Sequence, residues 1–361
     1  EGGRTRVTFT DRDDGTEHCI EADYLLGCDG ANSLVRNRIG AAMEDLRFEQ
    51  RWLVIDVASD EELQQWDGVH QLCDSRRAGT FMRIGPNRYR WEFRLLDGEK
   101  AEDFRAMGTL GPLIAPWTER VDAGRLEIIR VAEYTFRAKI ADHWRRGNTF
   151  LLGDAAHLTP PFVGQGLCAG LRDAMNLAWK LAGVVNGTLD PAVLDTYEQE
   201  RKPHARSMID LALMVGRAMT SGGRAGDLLR GIVVPRLQLL PGLRKKVLDS
   251  ETPALSRGPL VQGPSRLAGK LCPNPRTQDG RRLDAVLGDG WAVISIESLP
   301  SSAAELAAQR GAAIHVTDPD SEIGEWLSKG RAAAAILRPD RTVMLAGTDV
   351  SRLCAALPAL R

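Results

Sequence analysis

The feature that most constrains this chain is a strand–turn–helix stretch in the middle of the sequence. An apolar run, 149–152, predicts a short buried strand that ends at Gly153-Asp154. The chain then passes Pro160-Pro161, crosses Gly164-Gln165-Gly166 and begins a long helix near Leu167. Such a turn lets backbone amides approach a ligand without obstruction by a Cβ atom, and the helix aims its positive end at the same place. The stretch therefore predicts a site for an anionic or electron-rich cofactor.

A second strand–turn–helix stretch lies near the start of the chain. Residues 24–28 predict a short apolar strand, Asp29-Gly30 a turn, and residues 34–39 a helix that ends at Gly40. An arginine in the first turn of that helix, Arg36, is suited to a diphosphate group. Taken alone, the stretch is more typical of an ordinary α/β unit with an exposed arginine.

Residues 45–137, between the two stretches, have the alternating pattern of β-strands. In the strand 88–96, large apolar residues alternate with charged ones, which gives the strand one apolar and one charged face. A hairpin is expected around Gly85-Pro86-Asn87. The predicted elements are strands over 52–57, 79–84, 88–96 and 126–136 and a helix over 103–114.

After the second turn the pattern is helical. A helix is expected over 167–185, a second from Pro191 to about 201, and a third from Pro203 to 219. In the first of these helices an apolar stripe at helical spacing indicates a packing face. The residues of this stripe are Leu167, Leu171, Met175, Ala178 and Leu181.

The two stretches, in this order and separated by a β-rich insert, resemble the class A FAD-dependent aromatic hydroxylases, which are flavoprotein monooxygenases. Segments 51–56, 73–74 and 89–93 of the insert are most similar to the branch that hydroxylates 3-(3-hydroxyphenyl)propanoate. The resemblance implies FAD as cofactor, NAD(P)H as co-substrate, and a role in the catabolism of aromatic compounds.

The resemblance also implies which residues contact FAD. Asp154 corresponds to the family's ribitol-binding aspartate, and Gly164-Gln165-Gly166 lies against the pyrimidine edge of the flavin. Cys168 stands where many relatives have Asn, and a small buried hydrophobe is its alternative interpretation. The cofactor-binding candidates are Asp29, Gly30, Ser33, Arg36, Gly153, Asp154, Pro160, Gly164, Gln165, Gly166, Leu167 and Cys168.

For the reaction, the resemblance implies hydroxylation of a small phenolic substrate by O₂ through a flavin hydroperoxide. The sequence identifies no catalytic side chain, and no Ser-His-Asp elbow or paired carboxylates are evident. The candidates for substrate contact are Phe162, Arg83 and Trp91. For Arg83, Arg88, Arg90 and Arg94, a solvated charged face is at least as well supported as substrate binding. His157 is expected to be a hydrogen-bonded structural histidine.

The expected fold class is mixed α/β. Residues 1–44 and 138–225 would form an incomplete Rossmann-like FAD-binding domain, and 45–137 a β-rich substrate-binding domain. Residues 226–282 would be a linker, and 283–361 resemble a thioredoxin-like domain without its C-x-x-C motif.

The glycine-rich signature G-x-G-x-x-G, which cradles the ADP half of FAD in this family, is absent. The chain is therefore expected to be N-terminally truncated and to bind FAD weakly or not at all. Two alternatives to the phenol hydroxylase are a catalytically incompetent FAD-site fragment and a polyketide-tailoring aromatic hydroxylase.

Composition excludes several other classes. The net charge of −1 argues against nucleic acid or an anionic membrane surface as partner. Six cysteines without paired spacing indicate a reduced, cytoplasmic protein without disulfides, and the histidines show no metal-ligand spacing. A homodimer is left open.

Overall fold

The computed structural model of this chain describes residues 3–220 and 252–358, together with positions 223, 226, 228, 231 and 232. Within these residues the structure is mixed α/β, as predicted, and the strands form four sheets. Much of the predicted linker, including residues 233–251, lies outside the described residues.

The chain begins with a two-stranded antiparallel hairpin and a short parallel sheet. Strands β1 (Thr5–Thr10) and β2 (Glu17–Ala22) form the hairpin. Strand β3 (Leu25–Gly27) leads into helix α1 (Leu34–Ile39), which ends at the left-handed Gly40. Strand β3 and helix α1 match the predicted strand and helix closely, because turn residues and caps mark their ends.

A six-stranded antiparallel sheet occupies most of the segment between the two turns. Its apolar face packs against helix α2 (Met107–Thr118), which lies about one turn later than predicted. Leu53, Ile55 and Trp91 are fully buried between this sheet and the helix. In spatial order the strands are β11 (His157–Leu158), β8 (Leu126–Ala141), β4 (Met43–Ser59), β7 (Arg88–Arg94), β6 (Gly79–Gly85) and β5 (His70–Leu72).

The parallel pair that positions the two turns is β3 with β10 (Thr149–Leu151). Strand β9 (Arg145–Arg146) completes this sheet on the other side of β10. Since Leu26 pairs with Phe150, both strands end at the same edge, and the two turns that follow them are brought side by side.

Two long helices follow the second turn, α3 (Gly166–Val185) and α4 (Asp195–Thr220). Helix α4 is continuous through Pro203, which corrects the expectation of two helices divided there. A proline inside a helix costs about 3 kcal/mol. Burial of neighbouring residues such as Tyr197 and Ile209, both fully buried, offsets that cost, and sequence propensity alone does not register such packing.

The apolar stripe of α3 is not the face that the described residues cover. Leu167, Leu171 and Met175 are more than half exposed, whereas the polar Asp173 and Lys180 are completely buried. The expectation of a packed stripe is therefore wrong for these three apolar residues within the described part of the chain, whereas Leu181 packs against the core. Periodicity reveals that a helix has two faces, but ion pairs formed by distant residues decide which one is buried here.

The C-terminal unit, defined here as residues 283–358, contains the fourth sheet. Its strands, in spatial order, are β13 (Ala313–Val316), β12 (Ala292–Ser295), β14 (Ala334–Leu337) and β15 (Val343–Gly347). Its helices are α5 (Leu283–Leu287), α6 (Ser301–Gln309), α7 (Glu322–Lys329) and α8 (Val350–Ala355). Trp179 of α3 packs edge-on against Trp291 of this unit.

A buried charge cluster joins α3 and α4 to the C-terminal unit. Its members are Asn176, Lys180, Glu200, Arg338 and Asp340, all at most 5% exposed. Oε2 of Glu200 accepts hydrogen bonds from Asn176 (2.7 Å) and Lys180 (3.0 Å). The same oxygen lies 2.9 Å from the Arg338 guanidinium, which also pairs with Asp340. The two parts of the chain are therefore held together by charges that water does not reach.

No helix in the described ranges combines the length and the apolar character needed to cross a bilayer.

Candidate functional site

The two turns are tied to each other by Arg36. Its Nη1 donates to the carbonyl of Ala155 (3.0 Å) and its Nη2 to the carbonyl of Ala31 (2.8 Å). Arg36 as a whole is only 8% exposed. The two terminal nitrogens of Arg36 therefore donate to backbone oxygens of different turns, so the side chain braces the first turn against the second.

Asp29 and Ser33 cap helix α1. The Asp29 carboxylate accepts from the hydroxyl of Ser33 and from the amide of Val35 (3.0 Å), and the Ser33 hydroxyl accepts from the amide of Arg36 (2.9 Å). Burial acts to raise the pKa of Asp29, but these hydrogen bonds outweigh it and keep the pKa below its ordinary value. Gly30, at φ 78°, makes the turn. The first turn is thus a rigid anionic loop beside the second.

The second turn is packed tightly on helix α3 through two glycines. A Cβ atom added at Gly170 would lie 3.3 Å from the Cα of Gly153, tighter than ordinary contact. Gly153 itself has a left-handed φ of 56°, which favours glycine. Next to it, the Asp154 side chain is exposed and makes no hydrogen bond to any described residue. A free carboxylate at the mouth of a glycine turn fits the hydroxyl groups of a ribityl chain.

A buried carboxylate that the sequence analysis missed, Asp173, fixes this turn from below. It accepts from the amide of Gly153 (3.0 Å), from Nε2 of His157 (2.8 Å) and from Nε of Arg201 (2.8 Å). Burial acts to raise the pKa of Asp173, but the contacts with His157 and Arg201 lower it overall. His157 also stacks on Trp144 and is the hydrogen-bonded structural residue that the sequence predicted. The sequence feature that could have indicated Asp173 is its position on the polar side of helix α3.

The loop before α3 presents backbone amides. Pro160 precedes a 3₁₀ turn, Gly164 is left-handed at φ 62°, and Gln165 at the helix start provides no side-chain cap. The first amides of a helix have no partner within it, so those of Gly166 and Leu167 are available to a ligand. Space beside Gly166 is open, as a Cβ atom there would meet nothing within 4 Å. This helix start fits the electron-rich pyrimidine edge of a flavin.

An aromatic face lies against the same loop. Phe162, 8% exposed, packs on Phe48 (ring centroids 5.6 Å apart) and on Trp52 (6.0 Å), and Trp52 contacts Phe136 (6.0 Å). Phe48, Trp52 and Phe136 come from β4 and β8, on the side of the six-stranded sheet opposite α2. We call Phe48, Trp52, Phe136 and Phe162 the aromatic face.

Arg83 and Trp91 are not brought together with Phe162. Trp91 is completely buried on the other face of the sheet, among the rings packed against α2. The Arg83 guanidinium lies 3.0 Å from Glu62 and stacks over Tyr89. Alternation along the strands defined the two faces correctly, but it did not indicate which face looks toward the loop.

Charged residues adjoin the aromatic face on the same side of the sheet. Arg90 pairs with Asp56 through two hydrogen bonds of 2.7 and 2.9 Å. Arg94 stands opposite Trp52 in the strand register and donates only to backbone carbonyls. Glu92 lies between these arginines along β7, and burial raises its pKa above the ordinary value. The candidate site therefore combines an amide-lined loop, an aromatic face and a short row of charges.

Among the described residues, no group of three or more histidine, cysteine or acidic side chains is arranged to hold a metal ion. Cys168, half-buried in the first turn of α3, is a free thiol.

The sequence of this chain is similar to those of known proteins. The FAD binding domain family matches residues 1–212. A 3-(3-hydroxy-phenyl)propionate/3-hydroxycinnamic acid hydroxylase of Burkholderia cenocepacia (strain HI2424) is 35% identical over 96% of this chain and 70% of its own length. A hydroxylase of the same description from Mycobacterium sp. (strain KMS) is 35% identical over 92% of this chain and 64% of its own length.

Two solved structures share the fold. The rebeccamycin biosynthetic enzyme RebC with reduced flavin superposes with a TM-score of 0.73 at 21% identity, covering 99% of this chain and 72% of that one. The ternary complex of aklavinone-11 hydroxylase with FAD and aklavinone gives 0.71 at 24% identity, covering 99% and 73%.

Proposed function

This chain belongs to the FAD-binding-domain family of flavin-dependent aromatic monooxygenases, and we propose that it hydroxylates a phenol carrying a short carboxylate side chain, of the 3-(3-hydroxyphenyl)propanoate type. NAD(P)H and O₂ are the proposed co-substrates. The observation that carries the proposal is the contact of Phe162, in the loop before α3, with the rings of Phe48 and Trp52. This contact brings a surface suited to a phenol ring close to the loop whose amides begin α3.

We propose that the cofactor is held by Asp154 at its ribityl chain and by the amides of Gly166 and Leu167 at its pyrimidine edge. When bound, FAD would supply the activation of O₂, from which the aromatic ring would receive one oxygen atom. Asp173 positions the turn through the Gly153 amide. Arg36 contributes by bracing the two turns.

Substrate binding is assigned to the aromatic face. The rings of Trp52 and Phe162 would stack or pack edge-on against the phenol, as aromatic pairs prefer. Their burial also excludes water from the oxygen-transfer position, which such chemistry requires. We further propose that the six-stranded sheet is the substrate-binding part of the molecule and that the C-terminal unit is thioredoxin-like.

Two residues next to the aromatic face are assigned to the polar ends of the substrate. Arg94 has no carboxylate partner among the described residues and stands opposite Trp52, and we therefore propose that its guanidinium binds the substrate carboxylate. Glu92 would accept the phenol proton at a carboxylate oxygen. Its only described hydrogen bond comes from Thr80 (3.3 Å), and its raised pKa brings it nearer to the range useful for a general base.

The test supplies FAD to the purified chain and follows NADH or NADPH oxidation with 3-(3-hydroxyphenyl)propanoate, with mass spectrometry of the product. We expect stimulated oxidation and a product that has gained one oxygen atom. The matched control is 3-phenylpropanoate, which lacks the hydroxyl group and should not be oxygenated. Stimulation without an oxygenated product, or none at all, would favour the FAD-site fragment without turnover.

A fused-ring phenol belongs in the same assay, because the structural neighbours include a hydroxylase solved with aklavinone. Turnover of the fused-ring phenol in preference to the single-ring one would replace the proposed substrate by a polyketide-like one.

A further inference from the structure

We propose that a cavity between helices α3 and α4, the segment 252–271 and the C-terminal unit binds a small aromatic carboxylate. This site is separate from the loop before α3. The cavity has a volume of about 420 Å³. This is within the range of small-molecule pockets, roughly 300–1,000 Å³. Neither the glycine turn at Gly153 nor Phe162 is among its lining residues.

The cavity wall carries more positive than negative charge. Its one acidic lining residue, Asp340, is already paired with Arg338. Arg172 lines the cavity, and within the described residues it donates hydrogen bonds to the neutral side chains of Gln165 and Thr252. Arg266, also lining the cavity, is exposed and makes no ion pair with any described residue. Arginines without a carboxylate partner favour an anionic ligand, which they bind through paired N–H donors.

A buried histidine in the cavity wall also indicates that the potential at the wall is positive. His204 lines the cavity, is 3% exposed, and its Nδ1 has no hydrogen-bond partner within the described residues. Burial and the nearby Arg201 and Arg172 lower the pKa of His204 to about 3. The imidazole therefore stays neutral beside the two guanidinium groups, as expected at a wall with a positive potential.

Part of the wall is apolar. Met175, Leu255, Leu267 and Leu271 line it together with the indole of Trp326. A bare inorganic anion would leave this surface uncovered, whereas an aromatic carboxylate would pack its ring there and direct its charge to Arg172 and Arg266. The ligand class follows from both halves of the cavity together, because neither the charges nor the apolar surface alone selects it.

A ligand at this position would contact both the long helices and the C-terminal unit. Since it would bind only the assembled chain, it should raise the unfolding temperature in proportion to the logarithm of its concentration. This effect needs no flavin, so it is independent of the hydroxylation reaction.

The test is calorimetric titration of the whole chain with 3-phenylpropanoate, with melting temperatures recorded in parallel. Arg266→Gln is the main variant, because the side chain is exposed and its loss should not disturb folding. We expect binding to weaken about tenfold in Arg266→Gln, the loss typical of a hydrogen bond to a charged group. Arg257→Gln is the matched control, as Arg257 is exposed on the same segment but does not line the cavity.

The neutral analogue 3-phenylpropanol and inorganic phosphate complete the design, and both should bind at least severalfold more weakly. No saturable binding, or equal affinity in Arg266→Gln and the parent, would overturn the site. Equal affinity for the alcohol would overturn the role of the arginines, and equal affinity for phosphate would overturn the aromatic ligand class.

Discussion

Removing the negative charge of Glu200 should destabilise this protein more than removing the positive charge of Lys180. Glu200 faces three partners through one oxygen, and both Lys180 and Arg338 are fully buried. Glu200→Gln keeps the shape and an acceptor oxygen but leaves Lys180 with no carboxylate. Breaking a buried pair in this way costs about 3–5 kcal/mol.

The companion variant Lys180→Met removes the buried ammonium and leaves Glu200 paired with Arg338. Its cost should be smaller, under about 2 kcal/mol, because the desolvation of the amine is removed together with its attraction to Glu200. Urea unfolding followed by circular dichroism measures both. Glu325→Gln is the control, since Glu325 pairs with Lys329 on an exposed helix surface and its loss should leave the unfolding midpoint unchanged.

The same pair predicts a pH dependence. Burial and the Arg338 charge lower the pKa of Lys180 to about 8, although Glu200 opposes the shift. Between that value and the unfolded value near 10.5, the unfolded chain holds a proton that the folded chain has released. The stability contributed by this group should therefore rise with pH across that window, by about 1.4 kcal/mol per unit.

Comparison of the parent with Lys180→Met isolates the pH-dependent stability that Lys180 contributes, since the other groups titrate equally in both proteins. If Lys180→Met proves as costly as Glu200→Gln, or if the two proteins have parallel stability curves above pH 8, the assignment of the charges is refuted.

Three further outcomes are expected. Gly216→Ala should lower kcat/KM for the phenol by up to about 100-fold, because a Cβ atom there would lie 2.4 Å from the Phe162 ring and would displace it. Cys272, whose pKa burial raises to about 12, should resist alkylation by iodoacetamide near pH 8, while the exposed Cys19 reacts. The parent should lose stability as pH falls below about 6.5, because His204 stays neutral when folded down to about pH 3. His204→Gln should lose less over that interval in urea unfolding.

Each of these has a result that would contradict it. Gly111→Ala, on an open surface of α2, is the control for Gly216→Ala, and an equal effect of both would exclude displacement of Phe162. Rapid labelling of Cys272 in the folded chain would contradict the raised pKa of its thiol. Identical acid sensitivity of His204→Gln and the parent would remove His204 as the cause.

Local chemistry explains why much of the fold was predictable. The ends of α1 are marked by Ser33 and Gly40, and the β3 and β10 strands by the Gly and Asp residues that follow them. The parallel pairing of β3 with β10, which brings the two turns to one edge, was not predicted from the sequence. The family and its FAD cofactor were predicted from the same residues.

What the sequence did not show depends on contacts between distant residues. Asp173 meets Arg201 from a different helix, and no short motif links them. The face of the six-stranded sheet that adjoins Phe162 is set by the packing of α2 on the other side, so Trp91 was a reasonable candidate that lies in the core instead. Pro203 inside α4 is tolerated only because of tertiary burial.

The carboxylate of Glu200, which both Lys180 and Arg338 contact, also affects whether the C-terminal unit can be exchanged between related proteins. A chimera that received only the C-terminal unit from another protein would depend on whether the donor carries an arginine at the position of Arg338. Without this arginine, the transplanted unit would bring no positive charge to pair with the Glu200 carboxylate, which would be left with Lys180 as its cationic partner. Successful recombination at this junction should therefore require the helix segments around Lys180 and Glu200 to travel with the transplanted unit.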